Sequence, residues 1–205
     1  MTKKESKDKR IKDIIYAAVD EFLESGYEGA SMESIARRAG ISKGGLYHHF
    51  KSKDEIFLLA NTELHKPVSK MMEEAARKSS AAEGLIWYIK NYLKYWKAHK
   101  TEMVFYALSM AKMLDSPTLW GMYESFIESY IAFFKSFYER GISSGEFIPH
   151  SAYDSAVLLM GALDGIAGYL IIDKELKLDN VISIYQEKFV HALEMKNNKQ
   201  RGRGR

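Results

Sequence analysis

Apolar and polar positions follow a helical period along almost the whole chain. Ile11, Ile14, Ile15, Ala18 and Phe22 recur at the i, i+3, i+4, i+7 spacing that gathers side chains on one helix face. Ser25-Gly26 closes that stretch, because glycine enters the left-handed region without a Cβ clash and so ends a helix. Ser31 reads as the N-cap of a short helix that stops near Ala39 and Gly40, and Ser42 caps a third that runs to about Phe50. Ser52-Lys53-Asp54-Glu55 is a capping box: the serine oxygen accepts from the Glu55 N–H, the glutamate reaches back, and a fourth helix opens. Pro67 has no N–H and crowds the preceding turn, which predicts an end or a kink near Lys66. The same period predicts helices over 68–78, 82–98, 100–114, 117–143, 152–173 and 178–195. Pro117 is then a first helical residue, and Gly141, Gly145 and Pro149 mark a loop. No segment alternates convincingly with period two and no repeat is visible, so the fold class is all-α.

Residues 32–50 hold two short helices joined by a tight turn. Ala36 is small where the second helix packs on the first. Gly40, four residues on, suits a turn that needs positive φ, and Leu46, six beyond, pins the second helix from beneath. These are the requirements of a helix-turn-helix, whose second helix enters the DNA major groove. The formal net charge of +3 says little about partners, but its distribution says more. Lys3, Lys4, Lys7, Lys9, Arg10 and Lys12 crowd the first residues against Glu5 and Asp8. Arg37, Arg38, Lys43, Lys51 and Lys53 lie in an acid-free stretch, as do Lys196, Lys199, Arg201, Arg203 and Arg205 at the end. Such patches are the footprint of phosphate binding, or simply a solvated surface.

Gly26-Tyr27, Ser31, Ile35-Ala36 and Ala39-Gly40-Ile41-Ser42, followed by the run Lys43-Gly44-Gly45-Leu46-Tyr47-His48-His49-Phe50-Lys51-Ser52-Lys53-Asp54-Glu55-Ile56-Phe57, resemble the signature of the TetR family of bacterial and archaeal transcriptional repressors. The likeness covers residues 11–57 and is nearly gapless from 41 to 57. The rest resembles the family only in length, helical content and helix order. The resemblance implies an N-terminal arm and three-helix DNA-binding domain at 1–52 and a C-terminal helical bundle for effector binding and dimerisation at 53–196. Residues 197–205 read as a disordered basic tail. It implies a homodimer that grips a palindromic double-stranded operator and lets go when a small molecule binds. An activator, or a DNA-binding protein without an effector, stays open as an alternative.

The physics of the motif agrees with that likeness. Ser42 caps a helix whose free N–H groups suit a phosphate. Lys43 is the candidate for a base edge. Gly44 and Gly45 remove bulk so that the backbone can approach the groove. Many relatives carry Thr or another side chain at the Gly45 position, so base readout here rests on fewer residues. Tyr47 and His48 would reach phosphates or a thymine methyl, although Tyr47 also fits a core. Lys53 should take a phosphate, and Arg38 and Ser31 could grip the backbone. His48-His49 does not suggest metal, since adjacent helical residues point about 100° apart.

Composition adds an effector. The chain has 13 Tyr, 10 Phe, 10 Met and no Cys, which excludes disulfides and thiol chemistry and fits a reducing cytoplasm. Aromatic and Met residues crowd the middle, more densely than helix packing requires. Trp87, Trp96, Phe105, Met110, Tyr123, Phe126, Tyr130 and Tyr169 are candidate lining residues for a flat or long apolar effector. Glu124, Glu128 and Asp164 could meet a cation, or be solvated. Residues 156–172 are apolar nearly all round yet fall short of the roughly 20 that a bilayer needs, and they contain Asp164, so no membrane partner is expected. The helices at 152–173 and 178–195 would supply a four-helix dimer interface, as the family likeness implies, with Gly161, Gly165 and Gly168 allowing close approach. No HExxH, phosphate loop or nucleophile elbow is present, so no catalytic residue, metal or cofactor is expected. Ligand would shift a population between two spacings of the reading heads, with Pro67 as a candidate hinge.

Overall fold

The computed structural model describes residues 3–195, so the expected disorder of the tail at 197–205 lies outside the described residues. The fold is all-α: α1 Lys3–Gly29, α2 Met32–Arg38, α3 Lys43–His49, α4 Lys53–Ala76, α5 Ala81–Ala98, α6 Lys100–Asp115, α7 Pro117–Ser143, α8 Ala152–Ile172 and α9 Leu178–Phe189, then a 3-10 turn at His191–Leu193. These helices make two compact units, one of Met1–Pro67 with Thr101–Trp120 and the other of Val68–Lys100 with Gly121–Arg205.

In the first unit α1 is broken at Gly26, whose φ of 70° and ψ of 167° leave the helix where the glycine stop was expected. The face of α1 that carries Ile14, Ile15, Ala18, Val19 and Phe22 is buried against Ile35, Ala36, Leu46, Phe50, Ile56, Phe57 and Ala60. Ser31 caps α2 through a reciprocal pair with Ser34, and Gly40 takes the positive φ of the turn at 65°. Ile41 N then bonds to Ala36 O at 3.0 Å and fixes the entry into α3. Ser52 Oγ accepts from Glu55 N at 3.1 Å. The glutamate reaches back one residue further than expected, to Lys51 N at 2.6 Å. From α6, Phe105 inserts its ring 5.7 Å from Phe57 and 6.2 Å from Phe22.

Pro67 does not end α4. The helix runs on to Ala76 and joins two segments that the sequence separates. The proline forfeits one backbone hydrogen bond, but Leu64 and Val68 on either side of it are both buried, and packing outweighs the local propensity.

In the second unit α5 packs on α8 and α9. Glu146 caps α5 with both carboxylate oxygens, accepting from Ala81 N at 2.9 Å and Ala82 N at 3.1 Å. Gly84 is needed by packing, because a Cβ there would stand 2.2 Å from Cε1 of Phe137. Helix α9 stops at Phe189, short of the expected 195. Buried Val190 leaves helical geometry at φ −128° and ψ −68°. The chain beyond it pairs instead with the loop after α7, Ile148 N to Leu193 O and Met195 N to Glu146 O, both at 2.9 Å. Helix α8 spans 21 residues, so the shortfall argued for 156–172 does not hold for the helix as a whole, and by length and composition it could cross a bilayer. Only 33 % of its apolar window is buried by its own chain.

Candidate functional site

Helix α3 is anchored from below and open above. Leu46 and Phe50 are buried, whereas Ser42, Lys43, Gly44, Tyr47 and His48 all face solvent. Tyr47 is 50 % exposed, which removes it from the core. The Ser42 hydroxyl accepts from Gly45 N at 3.0 Å, so the cap occupies one N-terminal donor and leaves the others to a ligand. A Cβ on Gly44 would meet nothing within 4 Å, but one on Gly45 would come 3.2 Å from Ser42 Oγ. Gly44 therefore leaves room for whatever approaches from outside, and Gly45 leaves room for the cap. Lys43 pairs with Glu33 across 3.6 Å, both exposed, a contact weak enough for a phosphate or base to displace.

Two expected backbone ligands are engaged within the protein. Arg38 donates from Nε to Glu21 at 2.8 Å and from Nη2 to Glu24, tying α2 to α1. The guanidinium holds the Glu21 carboxyl below its usual range, and the carboxylates raise Arg38 in turn. Lys53 donates to Tyr27 O at 2.6 Å and Ala30 O at 3.0 Å and lies 4.3 Å over the Tyr27 ring. Together the two side chains fasten the C-terminal end of α1 to α2 and to the start of α4. Ser31 is exposed, with its hydroxyl shared with Ser34. Arg37 is a further candidate. It is exposed and makes no ion pair with another described residue. Helix phase could have found it, since Ile35 and Ala36 just before it are buried. The adjacent rings of His48 and His49 sit edge to face with centroids 5.4 Å apart.

Residues 14–60 match the family profile described as bacterial regulatory proteins, tetR family. These residues form an N-terminal domain of the tetR family of regulatory proteins. Over 52 residues it is 46 % identical to the transcriptional activator FasR of Mycolicibacterium smegmatis, covering 25 % of this chain and 24 % of that protein. Over 80 residues it is 32 % identical to the fatty acid metabolism regulator protein of Bacillus subtilis, covering 38 % of this chain and 41 % of that one. The matches thus span less than half the length of these two curated relatives. In fold the likeness is wider: FadR from Bacillus subtilis in complex with stearoyl-CoA superposes with a TM-score of 0.75 at 21 % identity, over 89 % of this chain and 98 % of that one.

Beyond this domain the structure distributes the aromatic residues unevenly. Trp96 and Tyr130 are buried in the second unit, and Tyr123 and Phe126 are half-buried there. Trp96 lies edge-on to Tyr92 at 6.0 Å, and Phe126 lies 4.5 Å from Tyr130. Trp87, half-buried in the same unit, has the Lys78 ammonium 5.1 Å over its ring. Phe105 and Met110 are not with them: they lie on α6 in the first unit, where Phe105 lines an open hollow of about 380 Å³ with Tyr27, Leu108 and Lys112. Tyr169 is 64 % exposed on α8. Of the three acids, Glu124 and Glu128 are exposed and Asp164 is half-buried. Asp164 accepts from Tyr92 OH at 3.1 Å, and burial pushes its pKa up to about 6. Its charge contributes to raising the Tyr123 and Tyr130 hydroxyls, both shifted mainly by burial.

Proposed function

We propose that this regulator binds a palindromic DNA operator as a homodimer, represses the genes beside it, and is released by a small apolar effector. Residues 1–52 serve as the reading head and residues 53–196 as the effector and dimer part. The observation that carries the reading is the outward face of α3: a serine-capped helix start, a lysine held only by a weak surface pair, and glycine, tyrosine and histidine on the same side, over a buried Leu46. This is the shape of a helix that reads a major groove with its leading end. Ser42, Lys43, Gly44, Gly45, Tyr47 and His48 make the contact surface, with Ser31 and Arg37 beside it. Arg38 and Lys53 hold the head in register.

A second copy is supported by α8. Leu158, Tyr169 and Ile172 are 66 %, 64 % and 80 % exposed along one side of a mostly apolar helix, with Gly161 and Gly165 open on its surface. An apolar stripe of this kind needs a cover, and a two-fold partner is the cover that a palindrome requires. The effector reading is supported by the aromatic interior of the second unit and by a relative of the same fold that holds stearoyl-CoA.

The test is a titration of a palindromic fragment over a salt series for wild type and Lys43→Ala. The variant should lose about 1–3 kcal/mol against one operator position and little at the others. A uniform loss at all positions would make Lys43 a phosphate contact, and no loss would remove α3 as the reading helix.

A further inference from the structure

We propose that Asp164 is the ligand-facing anion of the effector site and that the effector is an organic cation, an apolar body bearing a quaternary or protonated nitrogen. The proposal rests on the effector reading above and gives that ligand a charge.

Asp164 lies midway along α8, and Leu159, Leu163, Ala167 and Leu170 around it are buried. A carboxylate in such a place usually has a cation or several donors around it. Here the Tyr92 hydroxyl at 3.1 Å is the hydrogen-bond donor found, and among the described residues no lysine, arginine or histidine lies within ion-pair distance. One phenol does not offset the burial, as the upward shift of the carboxyl records. The surroundings are rings. Tyr92 stacks on Tyr88 at 5.6 Å and meets the edge of Trp96 at 6.0 Å, and Tyr130 stands close enough to be influenced by the charge, with Phe126 packed 4.5 Å from it.

A carboxylate among aromatic faces supplies the two attractions that hold an alkylammonium stripped of water: a Coulomb partner at low dielectric and the negative faces of rings. A ligand with an anionic head set here would be repelled. A neutral ligand that excluded water would leave the carboxylate with the Tyr92 hydroxyl and no counter-charge. The apolar body of a cationic ligand would take the neighbouring aromatic surface that an acyl chain would otherwise occupy.

The test uses one chain length and three head charges. The full-length protein is titrated calorimetrically at pH 8 with decyltrimethylammonium, 1-decanol and decanoate, each below its micellar concentration, and with stearoyl-CoA. Decyltrimethylammonium should bind at least tenfold more tightly than decanol, and decanoate most weakly. Asp164→Asn, which keeps the acceptor for Tyr92, should cost the cation at least tenfold and bind decanol as tightly as wild type or more tightly. Tyr92→Phe, which keeps the charge, should preserve the preference for the cation. An unaffected Asn variant, or a wild-type preference for decanoate or stearoyl-CoA, would overturn the charge assignment while leaving the effector reading intact. If no probe of any charge binds, the effector reading fails and this proposal fails with it.

Discussion

Asp164 sets a pH dependence that runs against the usual behaviour of a carboxylate. Burial raises its folded pKa to about 6 from 3.8, so the folded protein binds this proton more tightly than the unfolded chain does. Above pH 6 the ionised group therefore works against folding by about 3 kcal/mol, and the penalty fades as pH falls through 6 toward 4. Asp164→Asn should stabilise the protein by up to that amount at pH 8, with the gap to wild type narrowing below pH 6, as urea unfolding at the two pH values would show. Gly44 separates folding from binding in the same way. Its missing Cβ faces open space, so Gly44→Ala should stabilise α3 by up to about 1 kcal/mol while weakening operator binding, read as a raised Tm with a raised Kd. At this scale the sequence was informative wherever the signal was local. The Ser42 cap, the Gly40 turn and the underside Leu46 follow from residue type and spacing. The partners of Arg38 and Lys53 lie 17 and 26 residues away along the chain, and no local pattern announces them.

Among the elements, α4 shows most clearly how packing overrides propensity. Its period breaks at Pro67, and the sequence reading ends or kinks the helix there, yet burial of Leu64 and Val68 carries it through to Ala76. Proline leaves a carbonyl one turn earlier without its N–H, so Pro67→Ala should strengthen the helix by up to about 3 kcal/mol. If bending at this residue transmits the effector signal, the same change should shift the effector concentration that half-releases DNA. An unchanged half-release point in an anisotropy assay would remove Pro67 from the mechanism. Helix α9 departs from its sequence pattern for the opposite reason. Leu193 keeps the apolar spacing, but the backbone beyond Val190 finds hydrogen-bond partners in the loop at 146–148 and leaves the helix to reach them.

For the whole molecule the prediction concerns association. The stripe of Leu158, Tyr169 and Ile172 is solvent-exposed in the single chain, so a charge there should not disturb the fold of its own unit. Leu158→Glu should sediment as a monomer with an unchanged Tm at low concentration. It should lose most of its affinity for a full palindrome and keep that for a half-site. If the variant stays dimeric, the interface lies elsewhere. Periodicity, caps and turns act within a few residues of one another, so the sequence by itself determined the all-α class, the order of the helices and the face of α3 that meets solvent. Only the tertiary structure decided that Phe105 and Met110 join the first unit while Trp96 and Tyr130 are buried in the second. An aromatic residue carries the same apolar signal in any core, and which core receives it depends on how distant helices pack.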